Sequence, residues 1–370
     1  MNSTLGIVLA GNSGPELGEL TRPRPIGALP VASRYRLVDF VLSNLVNSGV
    51  DRVGIPTQTH YRSLIDHLGS GAPWDLNRRR HGLVILPPLG SGSAGEMQGD
   101  LDVLNGILDY ISASGRRYVL LTGSEILFNT TFDKMMEQHK ATGADITVMY
   151  NTMPDCRELS HHVGLRCDAA GRVTDLEIDP VRPFSSQISM NIYLMEREFL
   201  EYHINRCLSR GRHDFAKDVL LQEKDRLKIF GYEYTGYAGR VYNIASYYQC
   251  NMDMLDPAVS AALFEQDEPI LTKVKDQVPS IYGEEAQVRN SIVADGCIIH
   301  GTVENSIIFR GVQIDEGAVV RNAIVMQNSL IQSGVRLESA ILDKSVVIRK
   351  SKVLVGQTNY PLVVGKNSIV

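Results

Sequence analysis

Cysteine is scarce and scattered: five in 370 residues, at Cys156, Cys167, Cys207, Cys250 and Cys297, with no C-x-x-C pair. That excludes a disulfide framework and a cysteine-based zinc site, and fits reduced thiols. The nine histidines form no H-x-x-H or H-E-x-x-H pair, so a histidine metal site is excluded as well. No apolar run approaches the roughly 18–20 residues of a membrane span. Residues 5–10 are too short for a signal peptide, lack a basic segment before them, and read as a first β-strand. A strongly basic balance is missing too: the net charge of −5 argues against a protein that coats nucleic acid. What remains, 44% hydrophobic and 21% charged, is an ordinary globular composition. The expectation is a cytoplasmic chain of two domains with neither a membrane nor a nucleic-acid partner.

Short apolar runs at 5–10, 52–55, 118–122 and 146–150 alternate with helical patterns at 42–48, 100–112 and 132–142. This β-α alternation predicts an α/β domain whose mostly parallel sheet is covered on both faces. Ligands of such sheets lie beyond the carboxyl ends of the strands, here the loops after Ala10 and Thr122. The texture changes past residue 280. Ile292, Ile298, Val303, Ile308, Ile314, Val319, Ile324, Leu330, Val335, Ile341 and Val346 recur at about every sixth position, with Gly and Asn between them. That hexapeptide period predicts a parallel β-helix of roughly four to five coils. Residues 1–255 form the first domain in this reading, 256–280 a linker and 281–370 the β-helix, which is needed for assembly and not for folding of the first domain.

The most specific stretches are SRYRLVDFVLSNLVNSG (33–49), WDLNRRRHG (74–82), GSAGE (92–96), SMNIYLM (189–195), HDFAKDVL (213–220) and SYYQCNMDML (246–255). In this order, ahead of a hexapeptide domain, they resemble the bacterial ADP-glucose pyrophosphorylases (glucose-1-phosphate adenylyltransferases) of glycogen synthesis. The resemblance covers nearly the whole chain. It implies a Rossmann-like, GT-A-like nucleotidyltransferase domain, a left-handed β-helix and a tetramer. It also implies a reaction of glucose 1-phosphate with ATP, with magnesium, to give ADP-glucose and pyrophosphate.

Catalysis of that transfer is positioning and charge neutralisation: cations on the triphosphate and carboxylates on Mg²⁺. The residues matching the family's chemical positions are of the wrong type. The glycine-rich loop after the first strand carries Glu16 where the family has arginine, and loss of one such donor typically costs about 2.7–4 kcal/mol. Ile26 replaces the phosphate-contacting lysine. Ser124 replaces the metal-binding aspartate of G-D-H, and a neutral hydroxyl is a poor ligand for a hard cation. Strand alternation aims the neighbouring Glu125 away from the site. Arg240 stands at the second metal aspartate, either in an anion pocket or paired with Glu16. Asp179 stands at the lysine that grips glucose 1-phosphate. Five departures fall on five essential positions while the scaffold motifs persist.

The pattern resembles the non-catalytic GlgD-type subunit of Firmicutes. It implies no catalytic residue, no metal and no cofactor in this chain, with magnesium required by a GlgC-type catalytic partner in a heterotetramer; whether a homo-oligomer forms when the chain is alone is left open by the sequence. The alternative is an active pyrophosphorylase with a rebuilt site. A hexapeptide acyltransferase would rest on His300, the sole histidine of the repeats. Arg24 and Arg36 match basic positions of the family's anionic effector site, or are ordinary interface arginines. Arg78, Arg79 and Arg80 form a phosphate patch or a structural loop, and Trp74 a packing anchor.

Overall fold

A computed structural model describes residues 1, 3–11, 15–58, 60–78, 81–87, 98–153, 162–180 and 183–370. Residues 12–14 of the glycine-rich loop, Arg79, Arg80, the stretch 92–96 and Cys156 lie outside the described residues. The apolar runs become strands β1 (Thr4–Leu9), β2 (Arg52–Pro56), β3 (Gly82–Leu86), β4 (Tyr118–Gly123), β5 (Ile146–Thr152), β6 (Val163–Cys167), β7 (Val173–Ile178), β8 (Gln187–Glu196) and β9 (Ile229–Glu233). Helices used below are α1 (Leu37–Asn47), α2 (Asp100–Gly106), α3 (Arg197–Leu208), α4 (Ile244–Asp253) and α5 (Pro257–Phe264).

These nine strands make one mixed sheet. Its parallel half runs β3–β2–β1–β4, and β4 then meets β8 antiparallel, with Ile192 opposite Thr122. β8 also carries β5 and the end of β6, β7 edges β6, and β9 lies parallel on β5. Strands β1 and β4 are buried along both faces, which is why they read as unbroken apolar runs. The helix expected over 100–112 is broken: α2 ends at Gly106, and a second helix, Leu108–Ser112, follows after Ile107.

The hexapeptide region is a parallel β-helix. One of its sheets stacks Ile281–Tyr282, Ile298–Ile299, Gln313–Ile314, Leu330–Ile331 and Val347–Ile348 as five parallel rungs. Part of the expected aliphatic ladder is shifted by one place. Ile299, Val320 and Ile331 are fully buried, whereas Ile298, Val319 and Leu330 are only half-buried. Each is one of two adjacent aliphatics, and the six-residue period does not distinguish which of the two points inward.

The first domain and the β-helix share a core. Leu17, Leu20, Phe40, Tyr247 and Leu263 pack in one buried cluster with Ile307, Phe309, Ile324, Met326 and Ile341 of the coils. Residues between the domains are tied to the first domain as well. Thr272 donates to Asp39 Oδ2 at 2.6 Å, Leu271 N to Ser43 Oγ at 2.8 Å, and Asn129 Nδ2 to the carbonyls of Leu263 and Glu268 at 2.9 Å. The first domain and the coils thus bury apolar surface against each other, which bears on the expectation that the first domain folds without the β-helix and makes truncation its test. Among the described residues no helix is long and apolar enough to cross a membrane.

Candidate functional site

Because β1 and β4 are parallel neighbours in register from Thr4↔Tyr118 to Leu9↔Gly123, their carboxyl ends open on one rim. Three further segments reach that rim. The turn Ile26–Ala28 docks on the end of β1 through Gly27 N, which donates to Ala10 O at 3.2 Å. A side chain on Gly27 would meet Ala10 Cβ at 2.8 Å and Ser124 Oγ at 3.0 Å, so only glycine allows this approach. The strand Gly239–Arg240 pairs with Ile126–Leu127 just past β4, and Val241 N donates to Glu125 O at 2.8 Å. Finally β8 loses register between Ser189 and Ile192, where Asn191 takes a left-handed φ of 54°.

The structure therefore brings Ser124 and Arg240 to one place. Arg240 is buried, and its Nη2 donates to Ser189 O at 2.7 Å. Burial lowers the guanidinium pKa, and the carboxylate of Glu125 is the main opposing influence. Glu125 in turn accepts from Asn191 Nδ2 at 2.8 Å, and Tyr193 Oη donates to Asn191 Oδ1 at 3.3 Å. Ser124 Oγ is buried and has no hydrogen-bond partner among the described residues.

The expected orientation of Glu125 is corrected here. Strand alternation holds only while the chain stays extended; β4 ends at Gly123, and the carboxylate of Glu125 folds back over Gly123 into the site. Glu125 is thus the counter-charge that acts on Arg240. Ile26 is buried in the shared core beside Leu17 and Leu20, and it offers the rim nothing polar. Glu16 sits half-buried in the short helix Pro15–Leu20. Asp179 stands exposed beyond the edge strand β7, at φ 47°, with its N–H donated to His162 O.

A divalent metal does not fit this site. The places of its carboxylates hold a hydroxyl and a buried guanidinium, and the nearby carboxylate of Glu125 is bound to Asn191. Among the described residues no three of His, Cys, Asp or Glu converge to hold a metal. Behind the rim, the HDFAKDVL segment docks on the start of α2: Phe215 N donates to Asp100 Oδ1 at 2.7 Å, and His213 Nδ1 lies 2.8 Å from Asp102. Burial, against the Phe215 hydrogen bond, lifts the Asp100 carboxyl to about 7.

The two arginines singled out as effector ligands part company. Arg24 is buried against the β-helix, and its Nη2 donates to both carboxylate oxygens of Asp343, at 2.8 and 2.9 Å. Arg36 donates to Ser63 O at 2.5 Å and Ser63 Oγ at 3.1 Å, and burial followed by Arg24 brings its pKa down to about 10 against the pull of Asp39. Near the domain junction lie basic side chains that the sequence did not reveal. Lys344 is lowered to about 6 by burial, then by Arg36 and Arg24. Lys275 is lowered by burial, then by Arg36 and Lys273, and Arg310 by burial, then by Arg34. Arg310 is buried; its Nε lies 4.0 Å from Asp295 Oδ2, and its Nε and Nη2 have no hydrogen-bond partner among the described residues. These residues come from three separate parts of the chain, so no local motif announces them.

Comparison with known proteins agrees with this geometry. A family model described as nucleotidyl transferase matches residues 5–237, and a GlmU-like C-terminal hexapeptide model matches residues 276–359. Fold and family models thus define a nucleotidyltransferase-family domain joined to a hexapeptide β-helix. More narrowly, the chain belongs to the glucose-1-phosphate adenylyltransferase family. It is 35% identical over 321 residues to the glucose-1-phosphate adenylyltransferase of Halalkalibacterium halodurans, covering 85% of this chain and 83% of that one. It is 32% identical over 320 residues to the glycogen biosynthesis protein GlgD of Bacillus subtilis, covering 86% and 83%.

Proposed function

We propose that this chain is the non-catalytic, regulatory member of a mixed glucose-1-phosphate adenylyltransferase, in which a GlgC-type subunit makes ADP-glucose for glycogen. One observation carries the reading: the buried Arg240 guanidinium, held by Ser189 O and facing Glu125, where the family's chemistry requires a metal-binding carboxylate. Identity does not decide between the two roles, since an enzyme and GlgD match this chain almost equally. Site chemistry supports the non-catalytic one. Attack on the α-phosphorus of ATP needs cations on the leaving phosphates and a carboxylate-held metal, whereas Ile26 is buried and Arg240 is an added fixed charge. In this chain Asn191 binds Glu125 and Ser189 O holds Arg240, contacts that need no substrate.

Regulation then works through assembly. Binding of this chain biases its partner only by preferring the partner's active conformation, and a coupling of about 1–3 kcal/mol shifts apparent affinity roughly 5- to 150-fold. An anionic effector has a seat of basic side chains between the domains in Arg36, Lys275, Arg310 and Lys344, and its charge would favour the protonated form of Lys344. Arg24 acts there by holding Asp343.

The test assays pyrophosphate release by the purified chain, by a GlgC-type partner, and by their stoichiometric mixture. The chain alone should be silent, and the mixture should show altered saturation curves, with the effector response weakened by Arg310→Gln. Magnesium-dependent synthesis by the chain alone would refute the reading. Additive behaviour of the mixture would remove regulation and leave a structural role.

A further inference from the structure

A second cavity, of about 470 Å³, lies between α4 and the turns of the β-helix, remote from the rim. One wall is a ladder of amides. Asn290, Asn305 and Asn322 occupy the same turn of successive coils, each in the left-handed region at φ 42°, 47° and 46°. They follow strands whose register runs Val288↔Val303↔Val320. Asn290 Nδ2 donates to Asn305 Oδ1 at 2.7 Å. That leaves Asn305 Nδ2 and the whole amide of Asn322 without a partner among the described residues. Neighbouring parallel rungs are spaced roughly 4.8 Å apart, so the amides recur along a line.

The facing wall is α4. Gln249 is exposed there, with Nε2 donating to Asp253 at 2.6 Å and Oε1 free; Met252 and Leu255 supply apolar surface. The two walls are fixed relative to one another: Tyr248, 2% exposed, donates to Asn322 O at 2.7 Å. The helix itself starts in a capping box between Asn243 and Ser246. Such a cavity needs little ordering on binding.

Its chemistry selects the ligand class. No lysine, arginine or histidine lines the cavity, so phosphates and nucleotides find no counter-charge. Among the described residues its one carboxylate, Asp256, already caps α5 by accepting Ala258 N at 2.9 Å. A purely apolar ligand would strand the amides, at a cost of about 1–3 kcal/mol for each group left unsatisfied. An uncharged polyhydroxylated molecule satisfies both walls, its hydroxyls exchanging hydrogen bonds with the amides while its C–H faces lie on Met252 and Leu255. The repeated rungs suit a chain of sugar units better than one ring. We propose that this cavity binds a neutral oligosaccharide.

The experiment titrates the full chain with maltoheptaose, followed by calorimetry and by saturation-transfer NMR, with glucose as the single-ring control. Saturable binding with a dissociation constant of order 1 mM or tighter is expected, and at least about tenfold weaker binding of glucose. Gln249→Ala and Asn322→Asp should each weaken maltoheptaose binding about fivefold or more. Gln249 is exposed on its helix, so the first variant decides the matter if Asn322→Asp fails to fold. Absence of saturable binding overturns the proposal, as does binding that the folded variants leave unchanged. Equal affinity for glucose overturns the extended site.

Discussion

Replacing Asp343 strands a guanidinium between the sheet domain and the β-helix. Arg24 is 2% exposed and Asp343 fully buried, joined by hydrogen bonds of 2.8 and 2.9 Å. Asp343 Oδ1 also accepts Lys344 N at 2.7 Å, and Arg24 Nη1 lies 4.0 Å from Met326 Sδ in the shared core. Removing one member of such a buried pair costs about 3–5 kcal/mol, because the charge left behind has no water to solvate it. That is a large fraction of the about 5–15 kcal/mol that holds a typical protein folded. Replacing both members by apolar residues of similar volume is nearly neutral. Arg24→Met, Asp343→Leu and the double variant therefore form a cycle with an expected coupling of about 6 kcal/mol or more, since each single variant costs about 3–5 kcal/mol and the double almost nothing. The cycle is read by urea unfolding with far-UV circular dichroism and the fluorescence of Trp74, which is buried in the sheet domain. A coupling below about 1 kcal/mol, the range of exposed ion pairs, would refute the interdomain clamp.

Two further outcomes follow from the same geometry. A chain ending at residue 280 leaves Leu17, Phe40 and Leu263 without the coil residues that cover them, so it should aggregate or bind a hydrophobic dye. Unfolding of that truncated chain at the urea concentration of the full chain's first transition would contradict this. The second concerns Asp100, whose folded carboxyl titrates at about 7. The folded state thus holds an extra proton between the ordinary carboxylate range and that value. The contribution of Asp100 to stability is therefore lost as pH rises from about 4 to about 7, by at most about 1.4 kcal/mol per pH unit. Asp100→Asn retains an acceptor for Phe215 N–H and should flatten that slope in urea unfolding measured across this range. An unchanged slope would show that another group sets it.

The fold was legible where sequence signals are local. The runs in β1 and β4 are buried on both faces, so composition alone marks them, and the six-residue period has no reading but a β-helix. The reversed direction of β8 was not legible, because a strand buried on both faces looks the same whichever way it runs. The inward member of the Ile298–Ile299, Val319–Val320 and Leu330–Ile331 pairs was hidden for a similar reason. The rim was legible in residue type at Ser124 and Arg240, and illegible in geometry at Glu125, where the strand stops one residue earlier than alternation requires. Long-range partners were out of reach. Arg24 lies 319 residues from Asp343, and nothing near either residue names the other.

The substitutions at the rim also depend on one another, which explains why the site reads as consistent and not as damaged. Ser124 Oγ lies 3.0 Å from where a side chain on Gly27 would begin, and Gly27 lies equally close to Ala10, so the turn Ile26–Ala28 has closed over a small residue. The same turn carries Ile26 into the core shared with the β-helix, where the lysine of an active relative would bury a charge without a partner. Across the rim, Asn191 holds its left-handed φ and binds Glu125, the carboxylate that faces Arg240. A carboxylate restored at position 124 alone would press on Gly27 and share the rim with an arginine. One restored at position 240 alone would face Glu125 with no cation between them. If the proposed non-catalytic role holds, single reversions should carry the cost of the new residue without recovering the chemistry, as expected for groups that act as a unit.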